Sequence, residues 1–479
     1  MMSASDFAAI VPILCVTAAG IACMLAEALR QPGERMPIGG LGLVGLAGAG
    51  ITAALLWGRN ASSFGVVSAD DFGLFVVLVL VVIGVLTLLF SPSLVARDDL
   101  PDGEYYALLL FGLAGMMLMA MATDLLVIFL ALEVLSLAVY VLTGIRREIG
   151  GAEAAFKYFL LGAFSSAFFL YGIAFAFGVS GSTRLDRLGA VVAASAMNES
   201  PLALVALGLL LVGFAFKVSA VPFHMWTPDA YEGAPTIVTG FMSTTVKAAA
   251  FAAFTRVFLS ALEPLRPAWA PALWAIAVAT MVLGTVVGVA QTNLKRMLAY
   301  SSIAHAGYLL VALVAANDAG KSAVLFYLLV YGVGNLGAFA AIALLGTRER
   351  RHDDLESYAG LSSRHPAIAA TLAVFLLSLG GLPPTAGFVG KWYVFSAAIQ
   401  SGYYGLAIIG VLTSVVSLFF YLRVIVMMYM APPAEIPVSA PPPAAAVLAL
   451  AVSLLVTFYL GVLPGRVVEL ASRSVGTIF

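Results

Sequence analysis

Long apolar stretches follow one another along almost the whole chain, and short clusters of glycine, proline and charged residues separate them. Each stretch approaches about 20 residues, the length that an α-helix needs to cross the hydrocarbon core of a bilayer. Fourteen such stretches start near residues 7, 38, 71, 104, 123, 155, 202, 235, 268, 293, 321, 365, 403 and 443. The pattern predicts an all-α polytopic membrane protein with about 14 transmembrane helices and no soluble domain.

The composition agrees with this class and excludes others. Hydrophobic residues occupy 62% of the 479 positions and charged residues only 10%, which is more apolar surface than a soluble domain can bury. The net charge of −1 leaves no basic surface for nucleic acid. No HExxH, paired CxxC, P-loop or GxGxxG motif occurs in a suitable context, so we expect no metal, nucleotide or flavin site. Cys15 and Cys23 are too far apart for a disulfide and are predicted to pack in the first span.

Lysine and arginine are unevenly distributed over the predicted loops. Loops after odd-numbered spans hold eleven: Arg30, Arg35, Arg97, Arg146, Arg147, Lys295, Arg296, Arg348, Arg350, Arg351 and Arg364. Loops after even-numbered spans hold six: Arg59, Arg184, Arg187, Arg256, Arg266 and Lys321. Because cytoplasmic loops are enriched in basic residues, the bias predicts that both termini lie on the periplasmic side of a bacterial inner membrane.

Two parts of the chain resemble each other. TDLLVIFLALEVLSLAVYVL from Thr123 is similar to TNLKRMLAYSSIAHAGYLLV from Thr292, and AAFKYFLL from Ala154 is similar to AVLFYLLV from Ala323, both at an offset of 169 residues. This offset equals five spans, and an odd number of spans inverts the second copy in the membrane. We therefore expect a three-helix segment over 1–100, a five-helix repeat over 101–262, an inverted repeat over 263–432 and a C-terminal helix over 433–479. A chance match between apolar strings is the alternative.

Six charged residues fall within the spans rather than in the loops: Glu133, Lys157, Lys217, Lys247, Lys391 and Arg423. An ionised side chain near the bilayer centre costs at least a few kcal/mol, so each needs a partner, a wet cavity or a function. Glu133 and Lys217 lie at similar depths and are predicted to pair. The alternative to a functional pair is a purely structural one.

Three of the other charges differ in their distance from the span ends. Lys247 lies deep in its span without an acidic neighbour in the same helix, which suits a group that takes up and releases a proton; a snorkelling lysine is the alternative. Lys157 and Arg423 lie nearer the ends of their spans and are predicted to snorkel.

Prolines are predicted to interrupt two of the spans. Pro222 follows Lys217 by five residues in KVSAVPF, and Pro383 and Pro384 precede Lys391 in GGLPPTAGFVGKW. Because proline lacks an amide proton, each segment should end a helix and free backbone carbonyls to hold water. Paired breaks of this kind point to a transport path, although harmless kinks are the alternative.

Two histidines near these charges are candidate proton relays. His224 follows the first break and His305 lies in the second of the similar segments. Imidazole titrates near neutral pH, but each could equally be a hydrogen-bonded core histidine. Asp229 is predicted to cap a helix end.

Three segments together resemble the antiporter-like subunits of respiratory complex I, which are related to subunits of multisubunit cation/proton antiporters. They are FKVSAVPFHMWTPDAYEGAPT, NLKRMLAYSSIAHAGY and GLPPTAGFVGKWYVF. The resemblance implies fourteen helices, an inverted pair of five-helix repeats and proton transfer along a central hydrophilic axis.

The same resemblance implies roles for individual residues. Glu133 matches the fifth-helix glutamate, Lys217 the seventh-helix lysine that pairs with it, Lys247 the eighth-helix lysine and Lys391 the terminal carrier of the twelfth helix. Lys391 disfavours the antiporter-like type that has glutamate there. The end of the chain after the fourteenth span disfavours the type with a long lateral helix.

Complex I passes electrons from NADH to quinone and moves protons across the membrane. The resemblance implies that this chain serves the proton-translocating part and that NADH, flavin, iron–sulfur clusters and quinone bind to partner subunits. Expected partners are other membrane subunits, including another antiporter-like subunit, and the lipid bilayer. A subunit of a cation/proton antiporter and a membrane scaffold that conducts nothing are the two alternatives.

Overall fold

The computed structural model of the chain describes residues 7–31, 36–194, 200–346, 353–433 and 441–478. Four of the arginines used to predict orientation, Arg35, Arg348, Arg350 and Arg351, lie outside these residues. Cys15 and Cys23 are both free, as their spacing predicts.

Helices form nearly all of the described chain. A short antiparallel hairpin of β1 (Ala61–Ser63) and β2 (Val67–Ala69) follows the second helix. The α-helices are α1 (Val11–Leu29), α2 (Ile38–Leu56), α3 (Asp71–Asp98), α4 (Asp102–Met121), α5 (Leu125–Thr143), α6 (Ile149–Ser180), α7 (Leu185–Ala194), α8 (Pro201–Lys217), α9 (Trp226–Gly233), α10 (Thr236–Arg256), α11 (Arg266–Val289), α12 (Leu294–Ala315), α13 (Asp318–Leu345), α14 (Leu361–Arg364), α15 (Pro366–Gly380), α16 (Ala386–Gln400), α17 (Tyr404–Met430), α18 (Ala444–Val462) and α19 (Gly465–Val475). A π-helical turn, Val257–Ala261, extends α10, and 3₁₀ turns cover Glu263–Leu265 and Leu355–Tyr358.

Twelve helices within the described ranges are long and apolar enough to cross a membrane. The chain is therefore an all-helical, multi-pass membrane protein. Two further apolar helices, α8 and α15, are shorter. Each ends at a break and is followed by a second short helix: α9 begins eight residues beyond Val218, and α16 begins shortly after Gly381. Pro222 and Pro384 lie in these two breaks, where the sequence predicts an interruption.

Three helices occupy the centre of the molecule. Every residue of α10 is buried, and α12 and α13 are buried along nearly their whole lengths. The outer helices expose apolar side chains instead; on α6 these include Phe156, Phe164 and Tyr171. Charged or polar groups on the three central helices are therefore shielded from lipid on all sides, so they must find partners inside the protein.

The start of α5 is fixed by contacts to a distant segment. The Leu125 amide donates to the Thr183 carbonyl (2.9 Å), and the Leu185 amide donates to the Thr123 carbonyl (3.0 Å). Asp124 caps the helix by accepting hydrogen bonds from the next turn, as polar residues do at helix N-termini.

The start of α12 repeats this arrangement. The Leu294 amide donates to the Asp353 carbonyl (2.6 Å), and the Leu355 amide donates to the Thr292 carbonyl (2.9 Å). Asn293 is the capping residue here. The two segments that share sequence thus share their local hydrogen bonds as well.

Cations from distant parts of the chain bind the last carbonyl groups of several helices. They donate as follows: Arg97 to Ala343 and Gly346 after α13, Arg266 to Val314 and Ala315 at the end of α12, Lys295 to Glu232 and Ala234 at the end of α9, and Arg423 to Val289 and Gln291 at the end of α11. These carbonyls lack partners within their own helices and carry the negative end of the helix dipole. Arg423, which is predicted to snorkel, reaches the end of α11 with its guanidinium.

One fully buried ion pair joins the N-terminal helices to the centre. Arg256, at the end of α10, donates to both carboxylate oxygens of Asp70 at 2.7 and 2.8 Å, and the two side chains are only 2% and 4% exposed. Asp70 also caps α3 by accepting a hydrogen bond from the Gly73 amide. The sequence pattern predicts Arg256 in a loop, but it is the last residue of α10 and has a buried partner.

We predict that removing either partner of the Asp70–Arg256 pair destabilises the protein. Arg256→Met or Asp70→Asn should each lower the free energy of unfolding by about 3–5 kcal/mol, because the remaining partner stays buried without compensation. The double variant should lose less than the sum of the two. Unfolding of the purified protein from detergent micelles by added SDS measures both effects.

The exposed pair of Arg473 and Glu469, whose side chains are 73% and 60% exposed, provides the control. Arg473→Met should change stability by less than about 1 kcal/mol. Single variants of the buried pair that behave like this control would contradict the prediction.

Candidate functional site

Three lysines are buried at the breaks and at the centre of the fold. Lys217 is the last residue of α8, Lys247 lies in the middle of α10, and Lys391 lies in α16 just after the second break. They are 2%, 2% and 5% exposed. Among the described residues none of the three forms an ion pair with a carboxylate. Buried amines without a counter-charge are rare, because removing an ammonium from water is costly.

Glu133 and Lys217 approach each other through a serine rather than by direct contact. Lys217 Nζ donates to Ser136 Oγ at 2.7 Å, and Ser136 lies three residues after Glu133 on α5. Glu133 is half-buried and accepts a hydrogen bond from Ser166 Oγ at 2.6 Å. The predicted direct pair is therefore not formed in the described structure, because Lys217 meets the buried face of α5 while Glu133 points toward α6.

Aromatic rings surround Lys217. Its Nζ lies 5.8 Å from the ring centroids of both Tyr140 and Tyr158, within the range of cation–π attraction. Tyr158 stacks on Trp226 with centroids 4.2 Å apart. Trp226 begins α9, and its indole donates to the Phe216 carbonyl at 3.0 Å. The break thus folds the chain back so that an aromatic pair lies beside the lysine.

Lys247 binds a hydroxyl cluster on α12 and α13. Its ammonium nitrogen donates to both the carbonyl and the hydroxyl of Ser302. Ser302 Oγ also accepts from the Tyr331 hydroxyl at 2.8 Å and lies 3.2 Å from the Tyr231 hydroxyl. Asn335 donates to Tyr331 at 3.1 Å and extends the cluster. All partners of Lys247 are neutral oxygens.

His305 is held by two tyrosines. Its Nδ1 lies 2.6 Å from the Tyr327 hydroxyl and its Nε2 lies 3.4 Å from the Tyr421 hydroxyl. The ring is 3% exposed. A histidine with hydrogen-bond partners on both nitrogens can exchange a proton at either side, depending on its tautomer.

The aromatic neighbours of His305 place it between two lysines. Its ring centroid lies 5.1 Å from that of Tyr331, the ring over which Lys247 sits at 5.6 Å. It also lies 5.5 Å from Tyr308, the ring over which Lys391 sits at 5.0 Å. His305 and the two lysines therefore share tyrosine rings as neighbours: Tyr331 for Lys247 and Tyr308 for Lys391.

Lys391 binds the end of the helix that precedes the second break. Its Nζ donates to the Gly380 carbonyl and to Ser414 Oγ, both at 2.8 Å. Gly381 adopts a left-handed φ of +86°, and a Cβ there would lie 2.9 Å from the lysine side chain. Glycine at 381 thus meets both a backbone and a space requirement.

The other candidate residues have different partners. His224 is half-buried in the first break, and its Nδ1 has no hydrogen-bond partner among the described residues. Asp229 does not cap a helix, so that prediction is wrong; it lies inside α9 and accepts from Lys157 at 3.2 Å and Arg296 at 2.7 Å. Arg296 also pairs with Glu232 at 2.7 Å. Lys157 is thus ion-paired rather than simply snorkelling.

Sequence reasoning missed the hydroxyl partners and one lysine. Lys295 was assigned to a loop, but it is 0% exposed and holds the carbonyls at the end of α9. Its position directly beside Arg296 on the first turn of α12 was the available signal. Metal chemistry has no candidate site, since in the described ranges no three histidine, cysteine, aspartate or glutamate side chains cluster.

Comparison with known proteins identifies the family of the chain. The family described as NADH:quinone oxidoreductase/Mrp antiporter, TM, matches residues 122–417. The NADH-quinone oxidoreductase subunit N of Trichlorobacter lovleyi is 44% identical over 475 residues, covering 98% of this chain and 97% of that one. The subunit N 1 of Solibacter usitatus is 42% identical, covering 98% and 96%.

Solved structures show the same fold. A chain of respiratory complex I from Thermus thermophilus with bound aureothin superposes with a TM-score of 0.81 and 38% identity, covering 96% of this chain and 99% of that one. A chain of the Mrp complex from Dietzia sp. superposes with a TM-score of 0.82 over 100% and 98%, at 21% identity, a likeness of fold alone. The chain therefore belongs to the NADH:quinone oxidoreductase/Mrp antiporter family as an antiporter-like membrane subunit of complex I, most like subunit N.

Proposed function

We propose that this chain carries protons across the membrane along Lys217, Lys247, His305 and Lys391. The observation that supports this most strongly is the set of partners of the three lysines, which in the described structure are neutral oxygens and aromatic rings. A lysine in an ion pair keeps its proton because the carboxylate stabilises the charge. A buried lysine held only by neutral groups can lose and regain its proton at a much smaller cost.

The redox chemistry is proposed to lie elsewhere in the assembly. The relatives at more than 40% identity are subunits of NADH-quinone oxidoreductase, an enzyme complex. We propose that NADH, flavin, iron–sulfur clusters and quinone bind to partner subunits, and that this chain contacts other membrane subunits, including another antiporter-like one. Moving one charge against 100 mV takes about 2.3 kcal/mol, so the energy of quinone reduction must reach the lysines through these contacts.

We propose that the energy of quinone reduction acts on the lysines through Glu133. Ser136 links the helix of Glu133 to Lys217, so a shift of α5 would change both the hydrogen bond to the lysine and the distance to the carboxylate. Moving the carboxylate away removes stabilisation from the charged lysine. The proton would then pass to Lys247 and on through His305 to Lys391. His224 is not needed on this route.

The proposed architecture has fourteen transmembrane helices, of which ten form two inverted five-helix repeats. The twelve long spans and the two interrupted helices together give this number. The proposed units are 1–100, the repeats 101–262 and 263–432, and the C-terminal helix in 433–479. The matched hydrogen bonds at the starts of α5 and α12 support the repeats. From the bias of basic loops, we propose that both termini lie on the periplasmic side of a bacterial inner membrane.

A cation/proton antiporter subunit is the second candidate, because the matching family includes Mrp antiporters. Its test is transport by the chain in proteoliposomes without quinone-reducing partners. A sodium requirement for proton movement there would favour the antiporter. Co-purification with a large redox assembly, and NADH-driven proton transfer without added sodium, would favour complex I.

We predict that Lys217→Ala loses proton translocation more than it loses assembly. Proton transfer driven by NADH oxidation in membrane vesicles should fall by about tenfold or more, since positioned acid–base groups contribute on the order of 10²–10⁴. Assembly is measured by the amount of complex in the same membranes. Lys157→Ala is the control, because Lys157 is 46% exposed. If Lys217→Ala reduces assembly in proportion to activity, its role is structural.

We also predict that Lys391 needs a reversible charge. Lys391→Arg keeps the positive charge but should impair release, because a guanidinium is effectively never deprotonated in proteins. Lys391→Met removes both the charge and the carrier. Proton release after NADH addition to vesicles compares the two. Normal proton transfer in a well-assembled Lys391→Arg variant would remove Lys391 from the relay.

A further inference from the structure

Every lysine of the proposed relay is bound to a serine hydroxyl from another helix. The pairs are Lys217 with Ser136, Lys247 with Ser302, and Lys391 with Ser414. Ser136 and Ser302 are 0% exposed, so within the protein these hydroxyls have few possible partners. The serines lie on α5, α12 and α17, three separate parts of the chain. Three independent pairs of the same kind point to a common chemical requirement.

Most buried serines in the spanning helices of the described chain need no such partner. Ser453, for example, donates to the Ala449 carbonyl one turn earlier in α18, the usual arrangement for serine inside a helix. Ser136 likewise donates to the Leu132 carbonyl while its oxygen accepts from Lys217. The lysine contact is therefore additional to what the helix requires.

A serine hydroxyl can serve both protonation states of a lysine. It accepts a hydrogen bond from the ammonium, and after rotation it donates one to the lone pair of the neutral amine. A carboxylate would favour the charged state strongly, and an apolar side chain would leave the charged state without a partner. A hydroxyl therefore keeps the amine in place without fixing its charge.

We infer that Ser136, Ser302 and Ser414 are positioning residues of the relay, each holding its lysine through proton uptake and release. The serine hydroxyl keeps its own proton throughout, and the transferred proton passes between the lysines and His305. This inference rests on the proposed proton-translocating function.

Ser302 has the richest set of contacts of the three. It accepts from Lys247 and Tyr331 and lies beside Tyr231, and it precedes His305 by three residues on α12. The hydrogen bond to Ser302 keeps the Lys247 amine beside the Tyr331 ring, which also contacts His305. Loss of Ser302 would therefore disturb the most neighbours. Ser136 and Ser414 are the better targets for a test.

The experiment compares Ser414→Ala, Ser414→Thr, Ser136→Ala and Ser136→Thr in the assembled complex. Protons translocated and NADH oxidised are measured in the same vesicles and divided by the amount of complex. We expect each alanine variant to lower proton transfer by about tenfold, since a hydrogen bond to a charged group changes an equilibrium by about that factor. Each threonine variant retains the hydroxyl and should recover most of the transfer. Ser453→Ala should match the unmodified complex.

The outcomes separate this inference from the function on which it rests. If Lys391→Met loses proton transfer but both alanine variants keep it, the serines do not position the relay. Alanine variants that fail to assemble while Ser453→Ala assembles, or threonine variants as poor as alanine, show a structural role and also overturn the inference. If the complex with Lys391→Met translocates protons normally, the result contradicts the proposed function, on which the inference about the serines rests.

Discussion

The cost of burying an ionised group in a membrane protein governs how this chain places its charges. Arg256 carries a permanent charge, and the Asp70 carboxylate neutralises it by accepting hydrogen bonds on both oxygens. At Lys217 and Lys247, neutral oxygens take the place of a counter-charge. An amine can give up its proton and a guanidinium cannot, so these neutral partners fit the proposed role of the lysines.

The two breaks give these lysines their partners. Ending α15 at Gly380 exposes a carbonyl that an unbroken helix would have used internally, and Lys391 binds it. Ending α8 at Lys217 allows Trp226 to return and stack on Tyr158 beside the lysine. In an uninterrupted helix the backbone carbonyls at these points would be bonded within the helix, so only side chains could contact the lysines. The cations at the ends of other helices use the same principle, because free carbonyls bind positive charge wherever a helix stops.

Patterns local in sequence were predictable, and contacts between distant helices were not. Hydropathy predicted the spans, and prolines predicted the breaks near Pro222 and Pro384, because both signals act within a few residues. Lys217, Lys247 and Lys391 were also predictable, because a charged residue within an apolar stretch is visible in the local sequence. Ser136 and Lys217 are 81 residues apart, and serine is common in apolar helices, so no local signal marks it as a partner. The Asp70–Arg256 pair spans 186 residues, and the indirect Glu133–Lys217 contact depends on which faces of α5 and α8 meet.

Lys247 is the most informative residue to change, because its helix is buried along its whole length and its contacts, to Ser302 and the Tyr331 ring, are with neutral groups. The decisive measurement is the number of protons translocated per NADH oxidised by reconstituted complex carrying Lys247→Met. If the lysine carries protons, this ratio falls while NADH oxidation in uncoupled vesicles and the amount of assembled complex are retained. An unchanged ratio in a fully assembled complex would contradict the account, because the line from Lys217 to Lys391 would then conduct without its central amine.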